Sequence, residues 1–360
     1  MLVGDGRPWL APRSPIPTND ETMIRTLSAA AFCRPAARWR VAVALAFAAL
    51  APSVASAAHT LRIAASRAPV SLPLYVAQQR GFFADEHLDV VIADCIGGTR
   101  CLRMVLDGKA DLATTSEMPV VLQAFARAHA DVAIVATMAH ASDNLKLVAR
   151  KASGVTRGEQ LDGRRVGVIA GTSAQYLLET HLLNVGVDPR HVTMVPLQAE
   201  DTVAALRSGR IDAVAVWEPF GYAALHGADA VGLRLPLGGG YIESYNLVGR
   251  RSQFVRRDDA MVRLLRAVER AEQFIQDRPD EAQAILREQL KLDQRFVDWV
   301  WGGLGFRLSL DQALLTTMEG EARWAQREGH VAGGARPNVL TLIHAGPLRA
   351  VKPGAVGTGG

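Results

Sequence analysis

DGKADLATTSEMP, from Asp107 to Pro119, and SGRIDAVAVWEPF, from Ser208 to Phe220, are written on one plan. Gly108 aligns with Gly209, Lys109 with Arg210, Asp111 with Asp212 and Glu117 with Glu218, all at the same offset. In each copy the Gly reads as a helix stop, where a left-handed backbone meets no Cβ clash, and the Asp opens the strand that follows. Those two positions are expected to be structural.

The repeat extends upstream of both copies. LRIAAS, LDVVIA and ADLATT have the apolar, β-rich character of buried strands. LPLYVAQQRGFF, stopping at Gly81, and TRCLRMVLDG, stopping at Gly108, separate them as helices. The second copy runs in the same order: strand RRVGVIAG, helix TSAQYLLETHLLNVG, strand HVTMVPL, helix EDTVAALRSGR and strand IDAVAVW. A β-α-β-α-β unit written twice predicts an α/β fold with two parallel-sheet lobes. The 360-residue length and 49% apolar composition are ample for two such cores.

Open parallel sheets bind ligands beyond the carboxyl ends of their strands. In the first lobe those ends supply Ser66, Arg67, Gly97, Gly98, Thr99, Thr115, Ser116 and Glu117. The second lobe supplies Gly171, Thr172, Ser173, Gln198, Trp217 and Glu218. Two facing rims make a cleft. Gly171-Thr172-Ser173, ahead of a long helix, presents backbone N–H groups and hydroxyls at the positive end of a dipole; this suits an acidic group, and is equally a plain N-cap. Trp217 is suited to stacking on a planar ligand or to core packing. Glu218 is suited to the cleft or to holding its own loop, which Pro219 turns in either case. Arg67 is the nearest offset to two rim glutamates, and is also an ordinary surface residue.

The residues LPLYVAQQRGFFADEHLDVVI, LDGKADLATTSEMPVV, VIAGTSAQYLLE and SGRIDAVAVWEPF, in that order and spacing, resemble the solute-binding proteins of ABC importers for nitrate, sulfonates, taurine and thiamine-type pyrimidines. The resemblance covers Leu61 to about Trp324. It implies the type II periplasmic-binding-protein fold, with two lobes, a ligand cleft and a two-strand hinge. Chain crossings are then expected near Lys146 and near Leu247, with Tyr245 reaching the cleft from the hinge. Residues 58–148 would begin lobe 1, 149–238 form lobe 2 and 239–330 complete lobe 1, using helices such as DDAMVRLLRAVERAEQFIQDRP. The Gly- and Pro-rich tail, 331–360, is expected to be partly ordered. Trp299 and Trp301, two apart on a helix, read as packing residues of lobe 1.

Residues 1–57 read as an upstream extension and a signal peptide. A basic segment precedes VAVALAFAALAPSVASAA, with a cut near Ala57-Ala58 and export to the periplasm; an uncleaved anchor is the alternative. This leader holds six Arg against three acidic residues, so the formal +4 of the chain falls to about +1 without it. No Lys/Arg cluster with interleaved aromatics remains, which excludes a nucleic-acid reading. Cys95 and Cys101, six apart, read in an oxidising compartment as a loop-stapling disulfide that would pin the Gly98-Thr99 loop, with two free thiols as the alternative.

Catalytic motifs are missing. GTSAQ has Gln175 where a nucleophile elbow requires Gly, and the histidines lack metal spacing. No metal, cofactor or enzymatic activity is expected. A fungal pyrimidine-synthesising enzyme of the same fold relies, by resemblance, on a Cys-rich segment absent here. The expected function is the monomeric, extracytoplasmic binding component of an ABC importer, serving a permease and its ATPase. Its ligand would be a small sulfonate, a nitrate- or taurine-like anion, or an aminopyrimidine, with family frequency favouring a sulfonate. A periplasmic sensor reporting to a signalling partner is the alternative.

Overall fold

The computed structural model describes residues 60–126, 131–238, 240–332 and 335–358. The expected signal peptide, its expected cleavage site and Cys33 lie outside them.

Both copies of the repeat form the predicted units. In the first, β1 (Leu61–Ser66) pairs in parallel with β2 (Val90–Cys95) and β3 (Leu112–Ser116). The helices Leu72–Gln79 and Gly98–Leu106 connect them. In the second, β6 (Arg165–Val168) pairs in parallel with β7 (Thr193–Pro196) and β8 (Ala213–Trp217), linked by helices Ser173–Asn184 and Thr202–Arg207. Gly108 and Gly209 end their helices at φ +72° and +70°, a conformation that L side chains resist. Asp111 accepts from the backbone N–H of Arg62 in β1, at 2.9 Å. Asp212 does the same for Arg165 in β6, at 3.1 Å, so each Asp ties the third strand of its unit to the first.

The sheets are mixed rather than parallel, contrary to the expectation from the repeat. The six-stranded sheet runs β11-β4-β10-β3-β1-β2 and the five-stranded sheet β7-β6-β8-β5-β9, with β4 (Ala133–Ala141), β5 (Leu145–Arg150), β9 (Gly232–Arg234), β10 (Glu243–Gly249) and β11 (Leu304–Ser309) added. The reason lies in the crossings. The chain leaves the first sheet after β4, enters the second three residues later as β5, and returns after β9 as β10. Each arriving strand pairs antiparallel beside the third strand of the repeat: β5 on β8, with Leu145 opposite Trp217, and β10 on β3, with Tyr245 opposite Ser116. Lys146 therefore already belongs to the second sheet and Leu247 to the first. The crossings themselves are residues 142–144 and 235–242.

One large core lies on the first sheet, where the helix Asp258–Asp277 buries Met261, Leu264, Leu265, Val268 and Ile275. The second sheet carries a core on each face, and β8 feeds both through Ala213 and Ala215 on one side, Val214 and Val216 on the other. The described part of the tail packs on the first sheet. Val339, Leu342 and Leu348 are buried in the first core, and single bridges join Ile343 to Ile134 in β4 and Val356 to Leu310.

The crossings are held by buried polar contacts. Lys146 and Glu218, both withdrawn from solvent, pair at 3.1 Å. Glu218 also accepts from the indole N–H of Trp299 at 2.7 Å and the backbone N–H of Tyr222 at 2.7 Å. Lys146 donates to the backbone carbonyl of Asp143, inside the first crossing. Trp299, read from sequence as lobe-1 packing alone, is thus also a tie to the β8 loop. Replacing Lys146 with Met should destabilise the protein by about 3–5 kcal/mol, because Glu218 is left as an uncompensated buried charge. Lys146→Met with Glu218→Leu should recover most of that loss; urea unfolding of the single and double variants measures both.

Candidate functional site

The cleft opens where the third strand of each repeat meets an arriving crossing strand. Ser116 and its partner Tyr245 line it from one side, Trp217 and its partner Leu145 from the other. The loop Gly97-Gly98-Thr99 and the helix start Thr172-Ser173-Ala174 close two further walls. Asn144, in the first crossing, and Glu243, at the start of β10, complete the floor. Asn144 Nδ2 donates to Glu243 Oε2 at 2.6 Å, which links the two crossings.

The lobes are closed on one another. Ser173 Oγ lies 2.9 Å from Ser116 Oγ, Thr99 Oγ1 donates to the Gly171 carbonyl at 3.3 Å, and Arg100 reaches Glu200 and Gln198 at 2.6 Å each. On the flank, buried Glu179 of the second lobe accepts from Trp324 Nε1 at 3.1 Å and meets His330 Nε2 at 2.9 Å. In this state the space around Glu243 is little more than one water occupies. Beyond Trp217 and Thr172 an outer chamber of about 380 Å³ continues between Arg100, Arg103 and the apolar side chains Val168, Ile169 and Leu197.

Gly97 is required twice over. Its φ is +75°, and a Cβ there would stand 2.9 Å from the Trp217 ring, which lies across the cleft. A Cβ on Gly98 would meet Thr115 Oγ1 at 2.2 Å, so only Gly lets this helix start sit against β3. Cys95 and Cys101 are joined as a disulfide around this loop, with Cα atoms 5.5 Å apart.

Six of the thirteen expected ligand residues sit elsewhere than on the cleft lining. Ser66 is buried behind it, its carbonyl accepting from Ser71 and Tyr75. Arg67 faces solvent beside Asp94 at 3.7 Å. The buried Thr115 hydroxyl turns toward Gly98, and the Gly171 N–H donates to Gln175 Oε1 at 2.9 Å. Glu218 belongs to the Lys146 tie.

Glu117 also lies beneath the floor. Its Oε2 accepts from the Ser244 N–H at 3.1 Å and its Oε1 from the Tyr241 hydroxyl at 2.5 Å; that hydroxyl lies 3.2 Å from Glu321 Oε1. The two repeated glutamates are therefore counterparts: Glu117 grips the second crossing, Glu218 the first. Gly98, Thr99, Ser116, Thr172, Ser173, Trp217 and Tyr245 do line the cleft. Sequence reasoning missed Asn144 and Glu243. Asn144 lies in the first crossing and Glu243 opens the strand that follows the second, between the β-α units whose periodicity was readable, and nothing local marks them.

Burial, followed by the nearby charge of Glu243, pushes the Glu117 carboxyl up to about 8. Glu321 is raised well above the usual carboxylate range by burial and by Glu117. Glu243 is pushed up by burial to about 6, opposed by its hydrogen bonds from Asn144 and the two serines. The floor thus presents Glu243, the least raised of the three acids, above two whose burial favours the protonated form.

Comparison with known proteins places this geometry. The family model described as NMT1/THI5 like matches residues 68–282. The putative aliphatic sulfonates-binding protein of Bacillus subtilis (strain 168) is 26% identical over 241 residues, 63% of this chain and 69% of that protein. The alkanesulfonate-binding protein SsuA of Xanthomonas axonopodis pv. citri, solved bound to MOPS, superimposes with TM-score 0.68 at 19% identity, covering 79% of this chain and 98% of that one. The desulfurization enzyme DSZB superimposes with TM-score 0.59 at 17% identity, over 81% and 98%.

The acid pair beneath the floor makes a prediction. A carboxyl whose folded-state pKa is raised favours folding fully below its unfolded value of about 4.5, and that stability is lost as pH climbs toward 8. Unfolding free energy measured in urea should fall between pH 5 and pH 8. Glu117→Gln should flatten that fall, and a slope equal to wild type would remove Glu117 from the cause.

Proposed function

The chain belongs to the NMT1/THI5-like family, and on that footing we propose that it is the extracytoplasmic solute-binding component of an ABC importer. It captures one small organic molecule between its lobes and presents the closed form to a membrane permease driven by an ATPase. The observation that carries this reading is the cleft itself. Two rims built from one repeat face each other across a small polar space, with the crossings beside its floor.

Closure follows from how the site is divided. Ser116, Tyr245 and the Gly97-Thr99 loop lie on one lobe, Trp217, Thr172 and Ser173 on the other. A ligand held by one rim gains the second rim only as the lobes meet, so binding energy favours the closed state. The enclosed floor requires the crossings to flex for entry. The ligand is bound and released without bond breaking, unlike in the fold-sharing enzyme DSZB. The receptor is periplasmic and monomeric on this reading, and relatives named as sulfonate-binding proteins support its role as a receptor.

A thermal-shift screen of alkyl and aryl sulfonates, nitrate, aromatic carboxylates, amines and aminopyrimidines tests the reading, since a ligand that binds only the folded state must raise the melting temperature. At least one class should do so. Trp217→Ala should then weaken binding of the responding compound by about 1 kcal/mol or more through lost stacking area. Unchanged affinity by calorimetry would take Trp217 out of the site.

A further inference from the structure

The inner end of the cleft has one carboxyl side chain. Glu243 is 4% exposed, lines the floor and is held by the neutral Asn144 amide and by the Ser116 and Ser173 hydroxyls; among the described residues no Lys, Arg or His lines the same space. Lys146, Arg67 and Arg100 are already engaged, and Arg103 lines the outer chamber but not the floor. Lys146 is held by Glu218 and Asp143, Arg67 by Asp94, and Arg100 by Glu200 and Gln198. The helix start that sequence suggested for an anion is partly engaged as well. Gln175 accepts from the Gly171 N–H, and the Thr172 hydroxyl is turned away to the Ile169 carbonyl.

We propose that this cleft selects a ligand whose inner end is a small cationic N–H group, an amine or amidine, held by Glu243, and whose apolar body passes Trp217 into the outer chamber. This deepens the receptor reading and rests on it. A sulfonate or nitrate placed at the floor would meet a buried carboxylate with no cation among the lining residues to offset it. An ammonium or amidinium brings the charge the floor lacks and donates to Glu243 Oε1, while the Ser116 and Ser173 hydroxyls can turn to accept. The closed floor has room for a head of about one heavy atom, which an ammonium fills; an amidinium needs the lobes to spread. Val168, Ile169, Leu197 and Trp217 offer the body an apolar wall.

Matched probes decide it: hexylamine against hexanesulfonate, and benzylamine against benzyl alcohol, by calorimetry on the whole protein. Hexylamine and benzylamine should bind, and hexanesulfonate and benzyl alcohol should not. Glu243→Gln, which keeps an oxygen for Asn144, should weaken amine binding about 30-fold or more, as expected when one partner of a buried charge pair is removed. If that variant fails to fold, the amine and alcohol pair on wild type still decides, since the two differ only in the N–H cation. Hexanesulfonate binding with hexylamine silent would overturn the inference and leave the receptor reading standing. Amine binding unchanged by Glu243→Gln would overturn the assignment to Glu243. Silence from all four probes, and from the wider screen above, would bring down both.

Discussion

The Lys146–Glu218 pair is the constraint around which the rest is arranged. A lysine at the first residues of β5 and a glutamate at the end of β8 are both removed from water, and each is tolerable there only because of the other. Around them converge the first crossing, through Asp143, the loop after β8, through Tyr222, and the helix Gln294–Trp301 of the other lobe, through Trp299. Buried ion pairs add little net stability, but they penalise every arrangement that separates them. Here the arrangement they specify is the position of one lobe's rim against the crossing that carries it.

Glu117 does the corresponding work for the second crossing by different physics. No lysine meets it, so burial keeps it protonated and it bonds through Tyr241 and the Ser244 N–H. Between the two glutamates lies the Asn144–Glu243 bond, which joins crossing to crossing. The hinge is therefore polar and continuous with the floor of the cleft. Any motion that opens the lobes must be felt at Glu243.

Much of this was legible in the sequence. The repeated β-α-β-α-β pattern, the helix stops at Gly108 and Gly209 and the rim positions Ser116, Ser173 and Trp217 follow from periodicity and from where open sheets place their ligands. What was not legible is whatever depends on strands that arrive from elsewhere. The antiparallel entry of β5 and β10 turned a parallel expectation into mixed sheets, and it moved Glu117 and Glu218 from the rim to the brackets beneath it. A strand-end position says that a side chain is near the cleft; only the neighbouring strand decides which way a carboxylate finds its partners. Asn144 and Glu243 carry no local pattern because the contact between them spans 99 residues.

The most direct test of a receptor that closes over a small molecule is to purify the protein from its natural compartment without refolding, denature it, and identify by mass spectrometry what is released. One low-mass compound at close to one equivalent, carrying an apolar body and a protonatable nitrogen, is the expected result. A protein that folds fully, releases nothing, and takes up nothing from an extract of the same compartment would contradict capture between the lobes.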